Sequence, residues 1–310
     1  MSPDPVKPPA VRPGDTVGVV ASAAAVEREY LERGVSALRA MGYRVKVSQR
    51  ALARDGILAG SDRERADELN AFFNDRDVKA IFGARGGYGC GRLLPLLDFP
   101  GLARTPKAFI GFSDATFILN ALVARSRMVC FHGPMVAMDF AHGLTARSLA
   151  HLRGLLSGEL GGFTLEAREV VRPGAGAGEL VGGCLSVMTA MLATPWAPDF
   201  TGRILFLEDT GEKAYRIDRM LVQLRQAGVL ERLAGIVFGA IRVPDNVEAE
   251  QRLTMEFVHQ QTRDLGCPVL FGVEAGHGTE NLTLPLGLKV RIDGKRGRLI
   301  VEEPAVATGE

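Results

Sequence analysis

Residues 108–115 read Ala108-Phe-Ile-Gly-Phe-Ser-Asp-Ala115. An apolar run ends at Gly111, a serine stands at the turn, and a helical stretch, Ala115–Ala124, begins at once. A strand that turns directly into a helix is the repeating join of α/β folds. The same alternation runs outward in both directions. Upstream, Thr16–Ala21 reads as a strand, Val26–Met41 as a helix stopped by Gly42, and Arg44–Val47 as a second strand. A helix from Arg63, capped by Asp62, places Ala66, Leu69, Phe72 and Phe73 on one apolar face. Ala80–Ala84 is the next strand, and Val129–His132, downstream of the helix, is a fifth. Such alternation implies right-handed βαβ units in a mostly parallel sheet. Ligands of these sheets sit beyond the carboxyl ends of the strands.

Residues 1–134 thus form an N-terminal α/β domain. Residues 135–178 read as a connection with one helix, Ala146–Leu156, ending in the run Gly174-Ala-Gly-Ala-Gly178, which reads as a hinge or turn. Residues 179–310 form a second, smaller α/β domain. Its helices are Leu185–Leu192, Ala214–Ala227 and Glu248–Leu265, with Ile217, Met220, Leu221 and Leu224 making the second of these amphipathic. Its strands are Arg203–Leu207, Ile236–Ala240 and Val269–Val273, followed by a hairpin of Lys289–Ile292 and Arg298–Val301.

Composition narrows the function. The 310 residues carry 37 Lys and Arg against 36 Asp and Glu, a formal net charge of +1. That balance argues against nucleic acid or an anionic membrane as the main partner. Residues 1–14 have no apolar signal-peptide core, and Val17–Val26 is too short to span a bilayer. Cys90, Cys130, Cys184 and Cys267 form no C-x-x-C pair, which fits reduced, buried thiols of a cytoplasmic protein. The five histidines lack H-E-x-x-H spacing, so no metal is expected. Glycine is in excess: 37 residues, about 12% against an average near 7%.

Part of that glycine lies where chemistry is expected. The turn Gly111-Phe-Ser113 has the pattern of a nucleophile elbow, with Ala115 in place of the last glycine. Free N–H groups at the helix start, that of Asp114 first, can stabilise an oxyanion. Equally, Ser113 can serve only as a helix cap, with Asp114 a first-turn acid. Arg85-Gly-Gly-Tyr-Gly-Cys-Gly91 follows a parallel strand. Its four glycines can cradle a phosphate or bring a second oxyanion donor close. Glu208 and Asp209 end a strand and compete for any acidic role. His277, between Gly276 and Gly278, lies on a sharply turned loop where it can titrate near neutral pH. His132 ends a strand as a buried polar group, and His142, His151 and His259 occupy ordinary surface or helix positions. The chain order Ser113, Glu208, His277 matches hydrolases built on parallel sheets.

Taken together, Ala84-Arg-Gly-Gly-Tyr-Gly-Cys90, Ile110-Gly-Phe-Ser-Asp114, His132-Gly-Pro-Met135, Gly182-Gly-Cys-Leu185, Ile204-Leu-Phe-Leu-Glu-Asp209 and Gly272–His277 resemble the LD-carboxypeptidase family over nearly the whole chain. The resemblance implies a flavodoxin-like N-terminal domain joined to a smaller α/β domain, a cytoplasmic homodimer, and no metal or cofactor. It implies a triad of Ser113, Glu208 and His277 and an oxyanion hole from the Asp114 and Gly87 N–H groups. The implied reaction releases terminal D-Ala from murein tetrapeptides. Arg85, Gly86, Tyr88 and Arg216 are the candidates for holding that peptide, the arginines because guanidinium pairs bidentately with a carboxylate. Two other readings compete. One branch of the family resembles microcin C immunity peptidases, which cleave acyl-nucleotide adducts and need a platform for the base; Trp196 is the one tryptophan available. A non-catalytic nucleotide- or sugar-binding protein would use the glycine loop but leave Glu208 and His277 without a task.

Overall fold

The computed structural model describes residues 4–244 and 247–308, and the chain divides into two compact units. The first takes Met1–Gly161, Leu282–Gly287 and Pro304–Glu310. Strands and helices are numbered along the chain. The first unit contains β1 (Thr16–Val20), α1 (Arg28–Ala40), β2 (Arg44–Val47), α2 (Asp62–Asn74), β3 (Val78–Gly83), α3 (Phe99–Arg104), β4 (Ala108–Gly111), α4 (Thr116–Ser126), β5 (Cys130–His132), α5 (Ala146–Ser157) and, much later, β12 (Leu284–Leu286). Its sheet has the order β12-β5-β4-β3-β1-β2. The five early strands are parallel, and β12 closes the β5 edge antiparallel. The order β2-β1-β3-β4-β5 is that of the flavodoxin-like sheet, whose order reverses between β1 and β3.

The sequence explains these elements. β3 and β4 are covered on both faces: Ala80, Ile81, Phe82, Ala108, Phe109 and Ile110 are wholly buried, as apolar parallel strands must be. Helix α2 buries Ala66, Leu69, Phe72 and Phe73, the expected face. Its cap is Ser61 rather than Asp62. Ser61 Oγ accepts from the Glu64 N–H while the Glu64 carboxylate accepts from the Ser61 N–H, a capping box.

The second unit takes Gly162–Asn281 and Leu288–Glu303. It contains β6 (Phe163–Glu166), β7 (Glu169–Arg172), β8 (Ala175–Cys184), α6 (Leu185–Met191), β9 (Ile204–Thr210), α7 (Ala214–Gln226), β10 (Gly235–Arg242), α8 (Glu248–Thr262), β11 (Val269–Phe271), β13 (Lys289–Asp293) and β14 (Arg298–Val301). The sheet order is β6-β14-β13-β8-β9-β10-β11-β7. β8, β9, β10 and β11 are parallel to one another, and the flanking pairs are antiparallel.

The run Gly174–Gly178 is not a hinge. Residues 175–178 begin β8 and pair with Val290–Asp293 of β13. A Cβ at Gly176 or Gly178 would run into the carbonyl oxygen of Ala234 or Gly202. Glycine stands there because two backbones approach closely, not because the chain bends. Among the described residues no helix is long and apolar enough to cross a membrane, and all four cysteines are buried free thiols.

Helix α1 lies against a π-helical turn, Val136–Phe140, through Gly34, where a Cβ would strike the Val136 carbonyl oxygen. A freely exposed helical glycine gains about 1 kcal/mol on replacement by alanine. Here the sign reverses: Gly34→Ala is expected to lose about 1–3 kcal/mol, the usual cost of overpacking, in urea denaturation.

Candidate active site

In the first unit, the turn after β4 holds Ser113 in the left-handed region, φ 58°. For a side chain other than glycine this costs about 1–2 kcal/mol. The strand enters buried, the Ala115 N–H donates to the Phe112 carbonyl at 3.1 Å, and a 3-10 turn at Ser113–Ala115 runs straight into α4. This is the tight strand-to-helix turn that lifts a hydroxyl out of a sheet. The side chain of Ser113 does not cap α4, whose N-cap position is Ala115.

The glycine loop after β3 packs on that serine. A Cβ at Gly86 would stand 2.8 Å from both Cβ and Oγ of Ser113, so only glycine fits. Gly87, at φ +107°, would meet Ala24 of the loop after β1 in the same way. The loop therefore occupies the crevice between the carboxyl ends of β1 and β3, where the strand order reverses. Asp114 is 5% exposed, and its Oδ2 accepts from the Cys90 N–H at 2.7 Å. Burial pushes its carboxyl above the usual range, and the Cys90 N–H pulls it back. Arg85 is half-buried and its Nη1 donates to the Ala25 carbonyl at 3.2 Å. Tyr88 is exposed. His132 is wholly buried, its ring edge-on to Phe112 at 5.8 Å.

In the second unit, β9 ends in two adjacent acids that part company. Glu208 is fully buried. Its Oε2 accepts from the His277 N–H at 3.0 Å and lies 2.6 Å from His277 Nδ1. A carboxylate at that distance requires the proton on Nδ1 and leaves Nε2 as the basic nitrogen. Asp209 instead caps α6: its Oδ2 accepts from the Ser186 N–H at 2.7 Å and its Oδ1 from the Thr210 N–H at 2.8 Å. Burial raises its carboxyl above the usual range, and the Ser186 N–H draws it down.

The loop that carries His277 is folded tightly. Gly276 has φ +92°, and a Cβ there would lie 2.5 Å from Glu208 Oε2. Its N–H donates to Asn281 Oδ1 at 3.0 Å. Asn281, buried at 4% exposure, is thus a positioning residue to which sequence reading assigned no role. Arg216 is exposed on α7 and pairs with Glu212 at 3.3 Å. Arg168, Arg242, Glu274 and Glu280 help to line a cavity of about 360 Å³ at the carboxyl ends of β10 and β11. Cys184, opposite Glu208 in the β8–β9 register, has its thiol pushed well up by burial, with Glu208 and Asp209 adding to the shift. Among the described residues no cluster of three or more His, Cys, Asp or Glu is placed to hold a metal ion.

The expected site residues therefore fall into two assembled groups. Ser113, Asp114, Gly86 and Gly87 meet in the first unit, and Glu208 and His277 meet in the second. The competition between the two acids is resolved by their partners. Asp209→Ala is expected to cost about 1 kcal/mol, as loss of a helix cap does, while the His277 Nδ1 proton keeps the far-downfield NMR resonance of a carboxylate-bound imidazole. Glu208→Ala is expected to abolish that resonance.

Comparison with known proteins identifies the family. Residues 17–133 match the model of the LD-carboxypeptidase N-terminal domain, and residues 177–292 match that of the C-terminal domain. A probable murein peptide carboxypeptidase of Bacillus subtilis is 37% identical over 305 residues, covering 96% of this chain and 94% of the relative. The microcin C7 self-immunity protein MccF of Escherichia coli is 26% identical, covering 95% of each. The crystal structure of a muramoyltetrapeptide carboxypeptidase from Oxalobacter formigenes superposes with a TM-score of 0.84 at 30% identity, covering 94% of this chain and all of that one. The chain belongs to the LD-carboxypeptidase family.

Proposed function

We propose that the protein is a serine carboxypeptidase that cleaves the bond between an L-centre and the terminal D-Ala of murein tetrapeptides, through an acyl-enzyme on Ser113. The observation that carries this reading is the left-handed Ser113 at the β4–α4 turn, packed on Gly86. A strained serine at a strand-to-helix turn has a task beyond capping. The Glu208–His277 pair supplies the matching base, since Nδ1 is committed to the carboxylate.

In the proposed mechanism His277 Nε2 takes the Ser113 hydroxyl proton as Oγ attacks the scissile carbonyl. Glu208 holds the ring's tautomer and orientation and stabilises the imidazolium. The Asp114 and Gly87 N–H groups receive the oxyanion, each worth roughly 2.7–4 kcal/mol by analogy with a comparable donor. His277 returns the proton to the leaving amine of D-Ala, and water, activated by the same nitrogen, hydrolyses the acyl-enzyme.

The substrate's carboxylate falls to Arg85 rather than Arg216. Arg85 is held beside Gly86 by the Ala25 carbonyl, whereas Arg216 is exposed and already paired with Glu212.

Purified protein is expected to release D-Ala from a murein tetrapeptide faster than it cleaves an aminoacyl sulfamoyl adenosine. The reverse preference would move it to the immunity-peptidase reading. Ser113→Ala is expected to lose at least a thousand-fold in kcat and all labelling by a fluorophosphonate; unchanged function in that variant would favour a non-catalytic binding protein. Arg85→Ala is expected to lower kcat/KM about 100-fold, chiefly through KM, while Arg216→Ala stays within about three-fold; an ionic partner of a charged group is typically worth that much.

A further inference from the structure

We propose that Arg65 and Asp114 act together as positioning residues, gripping the Gly89–Cys90 peptide from its two sides and so setting the oxyanion loop against Ser113. The proposal rests on the serine-peptidase reading above. Arg65, on α2, is 1% exposed and is among the largest fully buried side chains of the chain. Its Nη1 donates to the Gly89 carbonyl at 3.1 Å and to the Ser22 carbonyl, beyond β1, at 2.6 Å. Its Nε donates to the Gly60 carbonyl at 3.2 Å, and its Nη2 pairs with Asp62. The N–H on the other side of the Gly89–Cys90 bond, that of Cys90, donates to Asp114 Oδ2 at 2.7 Å.

One planar peptide group is therefore held at its oxygen by a buried cation and at its nitrogen by a buried carboxylate. A peptide gripped at both ends cannot rotate without breaking two charge-assisted bonds. The loop entering it runs through Gly86 and Gly87, and the carboxylate that grips it belongs to the residue whose own N–H is the first oxyanion donor. Fixing Asp114 to Cys90 thus fixes both donors in one frame. Glycine at 89 is part of the device: its φ is +123°, and a Cβ would lie 2.7 Å from Arg65 Nη1. An apolar residue would fill the place of Arg65 at less desolvation cost. What it would not provide is donors to three carbonyl oxygens from three separate segments.

The test compares Asp114→Ala, Asp114→Asn, Gly89→Ala and Arg65→Lys with the parent protein. The readouts are steady-state D-Ala release, the rate of fluorophosphonate labelling of Ser113, and amide hydrogen exchange over residues 86–90. Asp114→Ala and Gly89→Ala are expected to lower kcat about 30–100-fold with KM within about three-fold, to slow labelling in parallel, and to speed exchange at Gly86 and Gly87. Asp114→Asn keeps an acceptor oxygen and is expected to recover at least ten-fold of that loss. The double variant Asp114→Ala/Gly89→Ala is expected to be no more than about two-fold worse than the poorer single one, because both act through one peptide. Arg65→Lys reaches fewer of the carbonyls and is expected to fall between Asp114→Asn and Asp114→Ala; should it fail to fold, the Gly89 and Asp114 variants judge the clamp. Unchanged kcat and exchange in folded Asp114→Ala would overturn the proposal, as would additive losses in the double variant. A parent protein that neither releases D-Ala nor reacts with the phosphonate would sink the peptidase reading instead, and the exchange data would still decide the clamp.

Discussion

Ser113 is held where an L-residue resists being held. Its left-handed backbone is unfavourable on its own and persists because both neighbours of the turn are fixed. On one side β4 is buried along its whole length and registered between β3 and β5, Phe109 opposite Ile81 and Gly111 opposite His132. On the other side α4 buries Ile118, Leu119 and Leu122. A strand and a helix that cannot shift leave the joining residues no room to relax. The same constraint dictates the loop opposite: with the serine side chain in place, position 86 has no room for a Cβ.

The second unit meets a different difficulty, the burial of a carboxylate. Glu208 lies on β9, an interior strand, and a buried anion without partners is strongly disfavoured. His277 answers it, since both its main-chain N–H and its ring reach Oε2. The loop can bring both only because Gly276 has no side chain to collide with the acid. Adjacent residues of a strand point to opposite faces, so when Glu208 meets the histidine loop, Asp209 must face away. It meets the start of α6, whose unpaired N–H groups need an acceptor.

Much of this was legible in residue order. Apolar β-branched runs, a glycine stop and amphipathic spacing located most strands and helices of both units to within a few residues, because burial on a fixed face leaves a period in the sequence. Misreadings arose where composition and context disagree. The alternating Gly and Ala of 174–178 has the composition of a flexible linker, yet close backbone approach makes it strand. β6 and β7 are edge strands of four residues each, too short for an alternation to stand out, with Leu165 buried in β6 and β7 exposed or half-buried throughout. Asp62 and Ser61 are both good caps, and the reciprocal bond with Glu64 decides for Ser61. Arg65 leaves no local signal at all, since a charged residue on a helix is ordinarily a solvated one.

By itself, the sequence determined the class of fold, the parallel character of the first sheet and a short set of candidate residues for chemistry. These follow from local rules: hydrophobic period, turn chemistry, and the glycines a tight turn demands. Tertiary structure alone decided that Asp209 turns to the start of α6, that position 86 must lie against Ser113, and that a buried arginine holds the glycine loop. Those choices depend on which faces of distant segments come together. Strand pairing and backbone approach set that geometry, and neither is written in the spacing of neighbouring residues.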